Sequence, residues 1–547
     1  MFTKAAEPAT ETELGEWRWR AGHYQSLHAR ALDRERALER RVEELQRLVG
    51  EQQERIAGLL AENEKLRARQ KWLEQQLFGR KSEQVKPPEP GAAADAGPVL
   101  FAASAAQAAA RPRGQQPGTR GHGRKRPDGL PREEVPLDVP PQRRLCPRCG
   151  KALREFPWTE DSEEVHWDVR LIRRVYRRKR YLPACDCGVL PGIVAAPLPP
   201  KLIPRGMFST EFWTRLLLEK FLFQRPLFRV RQSLALEGLA VSQGTLTGGI
   251  KRVGALLEAL YAGIVERSRG SSHWHMDETR WLVFADAEGK AGHRWWLWVC
   301  AAADTCVFLI DPSRSAAVPR EHLGEAKGIV NADRFAAYKA LKNCEVAFCW
   351  VHVRRDFLEV QEGYPRLQAW GESWVRRIDG LFALNAKRIE LRALPGDFAD
   401  QDRLLRQALA RMSRERDREL AKPDIHPTQR KVLESLRAHW KGLTLFVDRP
   451  DIPMDNNLAE RLLRNPIVGR KNYYGSGSIW SGQLSAMLFT LFQTLLLNHI
   501  DPRQYLLAYF QACAERGGRP PKKANSWLPW NLTESQKAAW RYPKRPP

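Results

Sequence analysis

The period of the apolar pattern changes at residue 272, and this change limits the folds open to the chain. Before it, apolar residues recur at helical spacing; after it, they alternate with polar ones in short runs separated by Gly- or Asp-containing turns. Such alternation predicts β-strands. The predicted strands cover 273–284, 294–302, 305–311, 328–333 and 346–350. A helical stretch separates the third strand from the fourth, so we predict a mixed sheet and an α/β (mixed α+β) fold class.

Residues 31–78 carry a heptad repeat. Two rows alternate at four- and three-residue steps, as positions a and d of a coiled coil do. The rows are Leu38, Leu45, Gln52, Leu59, Leu66, Leu73 and Val42, Val49, Ile56, Asn63, Gln70, Leu77. Branched residues facing leucines favour two parallel chains, and Asn63 would fix their register. We predict a parallel coiled coil that makes the protein a homodimer or higher homo-oligomer. The alternative is a solitary amphipathic helix packed on its own domain.

The chain is strongly basic. Its 547 residues include 89 Lys and Arg against 64 Asp and Glu, a formal net charge of +25. This charge favours a polyanionic partner, with nucleic acid ahead of a membrane surface. The longest apolar run, 295–303, has nine residues, whereas ~18 are needed to span a bilayer. The N-terminus has no signal pattern and the cysteines are odd in number, nine. We therefore expect a cytoplasmic protein of several domains without a membrane partner.

Two close cysteine pairs suggest a metal site. The candidate ligands are Cys146 and Cys149 of CPRCG and Cys185 and Cys187 of CDCG. Thiolates are soft ligands, and four of them suit one structural Zn²⁺ in a tetrahedral site. We predict a zinc-binding ribbon over 140–195, with unliganded cysteines as the alternative. The preceding stretch, 79–139, is a basic linker rich in Ala and Pro.

Residues 205–265 are predicted to be helical. Ser209 and Ser242 stand at predicted helix starts, and Pro226 interrupts the apolar pattern between them. The turn before Ser242 is typical of a helix-turn-helix that binds DNA, although a plain three-helix packing unit explains the pattern equally well. The last residues, 513–547, are rich in Trp and Pro, and we treat them as a C-terminal tail.

Three acids lie at predicted strand or helix ends. Asp277 is in the first strand, Asp333 ends the fourth, and Glu460 lies on a late helix. Adjacent central strands would bring the two aspartates together, and a helix beside the sheet could add the glutamate. Three carboxylates there would hold two Mg²⁺, which activate the attacking and leaving oxygens of a phosphodiester. Taken singly, each acid is more often a helix cap or an ion-pair partner, so the prediction depends on the pattern of all three.

Several motifs together resemble those of the IS66 family of insertion-sequence transposases. They are LFGRKSEQ (77–84), MDET (276–279), NADRFAAY (331–338), CWVHVRRDF (349–357), DNNLAERLLR (455–464) and GRKNYYGS (469–476). The resemblance implies a ribonuclease-H-like DDE domain over 270–512 that cuts transposon ends and joins them to target DNA. It implies Asp277, Asp333 and Glu460 as catalytic metal ligands, with Mn²⁺ able to replace Mg²⁺. It also implies a bacterial, nucleoid-associated protein that works with small accessory transposition proteins.

The resemblance gives other residues candidate roles. Four cations following Glu460 could grip scissile-strand phosphates: Arg461, Arg464, Arg470 and Lys471. Cys349 and His352 would support the core, with His352 near the metals, although a histidine bonded to backbone is an equal alternative. Asn456 and Asn457 would cap and orient the helix of Glu460. The charged helical segment 366–445 would be an insertion in the catalytic domain.

Two other functions remain open. One is a nuclease on the same fold without strand transfer. The other is a zinc-containing DNA-binding regulator whose acids are structural. The presence of all three acids favours the transposase.

Overall fold

A long helix begins the described part of the chain. The computed structural model describes residues 11–78, 134, 137–144, 147–152, 170–181, 193–286 and 292–542. Helix α1 covers Glu11–Phe78 and so begins well before the predicted start at residue 31. Its described seam side chains are exposed, namely Leu38, Val42, Leu45, Val49, Ile56, Leu59 and Leu66. An isolated chain therefore presents an apolar stripe to solvent.

The chain divides into two compact units. One comprises Met1–Leu77 with Leu171–Pro547, and the other comprises Phe78–Arg170. In the second unit, the described residues include a short 3₁₀ turn at Pro141–Arg143. In the first unit, β1 (Arg180–Tyr181) pairs antiparallel with β2 (Val194–Ala195). Among the described helices, none is long and apolar enough to cross a membrane.

Four helices precede the main sheet. Helix α2 (Thr210–Leu217) runs into a π-helical turn, and α3 (Leu227–Leu236), α4 (Gln243–Ala255) and α5 (Glu258–Arg269) follow. Ser209 and Ser242 cap as predicted: their side chains accept the backbone N–H groups of Phe212 and Thr245. Buried side chains of these helices belong to the same apolar cluster as those of the sheet. The helices therefore share the core of the sheet instead of forming a separate one.

The main sheet is mixed, which confirms the predicted mixed α+β class. Its strands are β3 (His273–Val283), β4 (Arg294–Ala301), β5 (Cys306–Asp311), β6 (Gly328–Ala332), β7 (Cys344–Phe348) and the short β8 (Gly475–Ser476). The strand order is β5-β4-β3-β6-β7. The first three strands pair antiparallel, whereas β6 and β7 continue the sheet in parallel. Helices α6 (Ala317–Leu323) and α7 (Ala336–Lys339) flank β6 in the chain.

Along one edge of β3, strand pairing is interrupted in the middle of the strand. Strand β6 pairs with β3 only up to His275↔Asn331, and β8 pairs with it only from Leu282 onward. Between these points the edge of β3 lies beside α14 (Asn457–Tyr473), which contacts both β3 and β4. This gap in strand pairing is where the candidate site forms.

The segment between β7 and α14 packs around a second apolar core. It contains α8 (Trp350–Gly363), α9 (Gln368–Glu390), α10 (Pro395–Leu420), α11 (Pro427–Ala438), α12 (Trp440–Leu443) and α13 (Leu445–Asp448). Trp350, Phe357 and Trp374 are fully buried in this core. The core therefore begins with α8, upstream of the predicted insertion boundary at residue 366.

The C-terminal residues are folded as far as residue 542, where the described part of the chain ends. Helix α15 (Ile479–Leu497) packs on β5, and α16 (Pro502–Glu515) packs on α2. The tail that follows showed no sequence pattern, yet it forms α17 (Glu534–Ala539). The indoles of Trp527 and Trp540 stack with centroids 6.1 Å apart and both meet the ring of Tyr505. Aromatic packing, which has no sequence period, holds the tail on the main core.

Candidate active site at the edge of β3

Asp277 lies on β3 just beyond the point where β6 stops pairing with it. Its Oδ1 accepts the backbone N–H of Glu278 at 2.9 Å. Burial, reinforced by the negative charges of Glu278, Asp333 and Glu460, raises the pKa of Asp277 to about 8. A carboxyl group shifted in this way is typical of acids gathered in one functional site.

The register of β3 and β6 aligns Asp277 with Asp333. His275 pairs with Asn331, and each aspartate lies two residues further along its chain, with Asp333 directly after β6. Residues in register on parallel strands project from the same face of a sheet. Asp333 Oδ1 accepts the N–H of Phe335 at 2.9 Å, which holds the carboxylate at the end of β6. The two aspartates therefore lie at the same level of the sheet, and the charge of Asp333 contributes to the raised pKa of Asp277.

Glu460 lies in the first turn of α14, the helix beside the edge of β3. Its backbone N–H donates to the carbonyl of Asn456, and its side chain is partly exposed. The negative charge of Glu460 contributes to the raised pKa of Asp277. Helix α14 therefore places a third carboxylate near the aspartates.

Asn456 orients this helix, but not as a cap. It occupies the N-cap position, yet its side chain makes no capping hydrogen bond. Instead Asn456 Nδ2 donates to the carbonyl of Met276 at 2.7 Å, and its Oδ1 accepts from His275 Nδ1 at 3.1 Å. The predicted capping role is therefore wrong for its side chain. Asn457 is exposed, and Asp455 Oδ1 accepts its backbone N–H, so the capping acceptor is Asp455.

A second buried amide ties β6 to the same turn. Asn331 Nδ2 donates to the carbonyls of Pro453 and Asp455, at 2.9 and 3.0 Å. Its Oδ1 accepts from His273 Nε2 at 2.8 Å. These bonds fasten β3, β6 and the start of α14 to one another. Burial, followed by the charge of His273, lowers the pKa of His275 to about 4, so its imidazole is neutral near pH 7.

Cys349 and His352 lie at the start of α8. Cys349 is fully buried, and its Sγ accepts the backbone N–H of Asn456 at 3.3 Å. Burial raises the pKa of this thiol to about 11. His352 Nε2 lies 3.8 Å from Glu460 Oε1, while burial lowers the pKa of the histidine and the nearby Glu460 opposes that shift. Both residues therefore adjoin the third acid.

Glu278 and its partners were not among the predicted site residues. Glu278 is buried, and its Oε1 accepts from the Arg314 guanidinium, at 2.6 Å for Nη2, while its Oε2 accepts from the Tyr338 hydroxyl. Burial raises the pKa of Glu278, against the hydrogen bonds that favour its ionised form. The guanidinium also stacks on Phe335, 3.9 Å from the ring centroid. The motif MDET (276–279) contains this acid, but its partners Arg314 and Tyr338 are distant in sequence, so periodicity cannot indicate them.

The four predicted cations are not equivalent. Arg461, Arg464 and Lys471 are exposed on α14, as phosphate contacts require. The guanidinium of Arg470 is already engaged, because it donates to Thr279 Oγ1 at 2.8 Å and to the carbonyl of Arg280. It anchors the last turns of the helix to β3.

The stretch 469–475 begins and ends with glycine, which predicts a loop, yet it is helical up to Tyr473. Glycine at 469 allows a close approach, because a Cβ at this position would lie 2.1 Å from Gln224 Oε1 and 2.4 Å from the Tyr473 hydroxyl. The helix ends at Tyr474, which has a φ of 65°.

The predicted zinc ligands lie almost entirely outside the described residues. Cys146, Cys185 and Cys187 fall in undescribed stretches, and the described Cys149 is exposed and forms no disulfide. The zinc prediction therefore stays a prediction.

Comparison with known proteins places the chain in a family. The family model described as "Transposase IS66 family" matches residues 205–484, which is more than half of the chain and contains all three acids. The chain belongs to the IS66 transposase family. A second family model, described as "Transposase C of IS166 homeodomain", matches residues 65–135.

Curated relatives of the chain include proteins from Sinorhizobium fredii (strain NBRC 101917 / NGR234). The uncharacterized protein y4jD is 27% identical over 434 residues, covering 75% of this chain and 82% of the relative. The uncharacterized protein y4hP is 26% identical over 448 residues, covering 75% of this chain and 77% of the relative. No solved structure matches the chain at a significant level.

Proposed function

We propose that the protein is a DNA transposase that binds the terminal inverted repeats of an insertion sequence, cuts the transposon ends and joins them to target DNA. The observation that carries this proposal is the convergence of Asp277, Asp333 and Glu460 at the open edge of β3, where their mutual repulsion helps raise the pKa of Asp277 to about 8. Membership of the IS66 family supports it.

The donor set of the site fits divalent cations of the Mg²⁺ type. Its acids offer hard carboxylate oxygens, the ligands that Mg²⁺ prefers. Glu460 Oε1 is also buried without a hydrogen-bond partner, which is costly unless a ligand satisfies it. Asp277, Asp333 and Glu460 would hold two Mg²⁺, or Mn²⁺. When bound, such ions polarise phosphate and activate the attacking and leaving oxygens.

The residues of the chain have distinct tasks in this reaction. Asn456 and Asn331 hold the three acids in one arrangement before DNA arrives. Arg461, Arg464 and Lys471 project from the helix of Glu460 and would bind phosphates of the DNA backbone, which fixes the register of the duplex without reading its sequence. Neutral His275 adds no positive charge that would compete with cations at the acids.

The strand order supports a ribonuclease-H-like core. Three antiparallel strands followed by two parallel ones place the first strand at the centre of the sheet. The catalytic domain would cover 270–512, with the helical segment around the second core as its insertion.

Other parts of the chain would bring the DNA and the second protomer. The exposed seam of α1 would form a parallel coiled coil, which places two catalytic domains in one complex. Residues 79–139 would act as a linker and the ribbon at 140–195 would bind Zn²⁺. The pair α3 and α4 would contact DNA through the exposed start of α4, which carries Gln243 and Thr245. These assignments rest on sequence pattern and exposure.

The test is cleavage and joining of labelled terminal DNA in Mg²⁺, run beside a binding assay. Asp277→Asn, Asp333→Asn and Glu460→Gln keep side-chain size but remove charge, so each should abolish both reactions and leave end binding intact. Glu345→Gln removes an exposed acid from β7 of the same sheet and should leave them unchanged. Cleavage without joining would favour a nuclease. Binding without cleavage, with accessory proteins supplied, would favour a regulator.

A further inference from the structure

A cluster of mixed ligands lies beside the three acids. Cys349 Sγ, a ring nitrogen of His352 and a carboxylate oxygen of Glu460 all lie within 4.8 Å of one another. Cys349 directly precedes α8 and His352 lies in its first turn, while Glu460 comes from α14. Three donors on two separate helices therefore converge on one point.

Two atoms of this cluster lack the partners that burial normally requires. His352 Nδ1 and Glu460 Oε1 are both buried without a hydrogen-bond partner. The 3.8 Å between His352 Nε2 and Glu460 Oε1 is too long for a hydrogen bond. Buried polar atoms are nearly always satisfied by protein, water or an ion, so this carboxylate oxygen is free to accept such a partner.

The chemistry of the donors separates this cluster from the aspartate pair. A thiolate and an imidazole are ligands for Zn²⁺ and similar ions, whereas Mg²⁺ prefers oxygen alone. Backbone N–H groups point at Cys349 Sγ, from Asn456 and from the first residues of α8. They offset part of the burial that raises the pKa of this thiol, and a bound cation would complete its deprotonation. Three protein donors also leave one coordination position open, the arrangement of Zn²⁺ sites that take an exchangeable ligand.

We propose that Cys349, His352 and Glu460 form a binding site for a thiophilic divalent cation of the Zn²⁺ type. A tetrahedral ion draws its donors to about 3–4 Å of one another, and the partly exposed side chains of His352 and Glu460 can rotate to reach that spacing. Because Glu460 is shared, a cation held here withdraws it from Asp277 and Asp333. This last consequence rests on the proposed function and makes the cluster an inhibitory site.

The test is a titration of the full-length protein with Co²⁺, followed by displacement with Zn²⁺. Wild type is compared with Cys349→Ser, which keeps an oxygen to accept the N–H of Asn456 but removes the thiolate. The predicted ribbon cysteines are common to both proteins. Cys344→Ser, which removes a partly buried thiol from β7, is the matched control. We expect Cys349→Ser to bind one ion fewer per chain, with a weaker thiolate-to-cobalt charge-transfer band, and Cys344→Ser to match the wild type.

Two further variants guard against misfolding and identify the other ligands. His352→Ala and Glu460→Gln change partly exposed side chains, and each should weaken binding of the same ion at least tenfold while thermal unfolding stays cooperative. Equal stoichiometry and affinity in wild type, Cys349→Ser and His352→Ala would overturn the proposal. Because these titrations contain no DNA, they test metal binding at this site even if the protein has no DNA-cleavage activity.

Inhibition is measured separately, as the fraction of each protein's own zinc-free cleavage rate in Mg²⁺. The zinc concentration for half-inhibition should rise at least tenfold in Cys349→Ser. An unchanged value would show that the ion does not withdraw Glu460.

Discussion

The side-chain amide of Asn456 donates to the carbonyl of Met276 at 2.7 Å, so the residue before the helix of Glu460 is bonded to the residue before Asp277. The same side chain accepts from His275, and its backbone N–H donates to Cys349 Sγ. One fully buried asparagine therefore links three chain segments that carry candidate functional residues. Its hydrogen bonds therefore fix the start of α14 against β3 and α8.

Replacement of Asn456 should disturb both stability and activity. In Asn456→Ala, His275 and the Met276 carbonyl lose buried partners, which should cost about 1–3 kcal/mol of unfolding free energy. The cleavage rate should fall because Glu460 is no longer tied to β3. Asn457→Ala changes the adjacent exposed side chain and should alter neither quantity. Denaturant unfolding and DNA cleavage of the two variants check this, and equal effects would contradict the assigned role of Asn456.

Replacement of Glu278 should lower the stability of the protein, because its hydrogen-bond partners would be left unpaired. Glu278→Ala leaves the Tyr338 hydroxyl and the Arg314 guanidinium without their carboxylate. Because Arg314 is partly exposed, solvent offsets some of the loss, and we expect a cost of about 2–3 kcal/mol. Tyr338→Phe removes only one hydrogen bond and should cost about 1 kcal/mol. Chemical denaturation gives both values; a Glu278→Ala cost no greater than that of Tyr338→Phe would show that the ion pair contributes little.

The raised pKa of Asp277 makes stability depend on pH. This pKa is about 8 in the folded protein against an ordinary value of 3.8. Folding therefore favours the protonated acid, and the stabilisation present below the ordinary value is lost as pH rises toward 8. Each pH unit in that window is worth at most about 1.4 kcal/mol.

Relative to wild type, Asp277→Asn should therefore gain stability between pH 6 and pH 8. Thermal unfolding at both pH values, without added divalent cations, measures the difference. Added Mg²⁺ should reduce it by stabilising ionised wild type alone. A difference independent of pH would mean that Asp277 ionises normally.

Replacement of Arg470 should affect stability, whereas replacement of its neighbour Lys471 should affect DNA binding. Arg470→Ala removes hydrogen bonds to Thr279 and to the Arg280 carbonyl, so it should lower stability by about 1–2 kcal/mol. Lys471→Ala should leave the melting temperature unchanged and weaken DNA binding, with a salt dependence reduced by about one unit of slope. Melting curves and binding isotherms at several salt concentrations separate the two effects. A large loss of stability in Lys471→Ala would argue against a phosphate contact.

The apolar seam of α1 should set the oligomeric state. Ile56→Glu places a charge at a predicted core position of the coiled coil, so the full-length protein should dissociate toward monomer. Ala57→Glu adds the same charge at the adjacent outward position and should leave the oligomer intact. Sedimentation or light scattering of both variants is the measurement. A wild-type monomer at tens of micromolar would rule out the coiled coil.

Much of the candidate site was predictable because local patterns carry it. Alternation located β3, and an apolar run ending in an acid located β6 and Asp333. The bonds of Asn456 were not predictable, because an asparagine before a helix most often caps it, and only the adjacent strand offers the competing acceptor. The same limit hid the partners of Glu278 and led to the wrong loop at 469–475, where contacts with distant residues extend a helix.

The sequence alone determined the mixed α+β class, the presence of the long first helix and the helix caps at Ser209 and Ser242, and it singled out the three candidate acids. Each of these depends on periodicity or on chemistry within a few residues of the chain. Only the tertiary structure showed that the pairing of β6 with β3 stops beside Asp277, and that Asn331 and Asn456 bond the neighbouring segments to one another there. It likewise showed that Arg470 bonds α14 to β3 and that the described part of the Trp-rich tail is folded. These features depend on contacts between residues far apart in the chain, whose pairing is set by packing of the whole core and leaves no local period to detect.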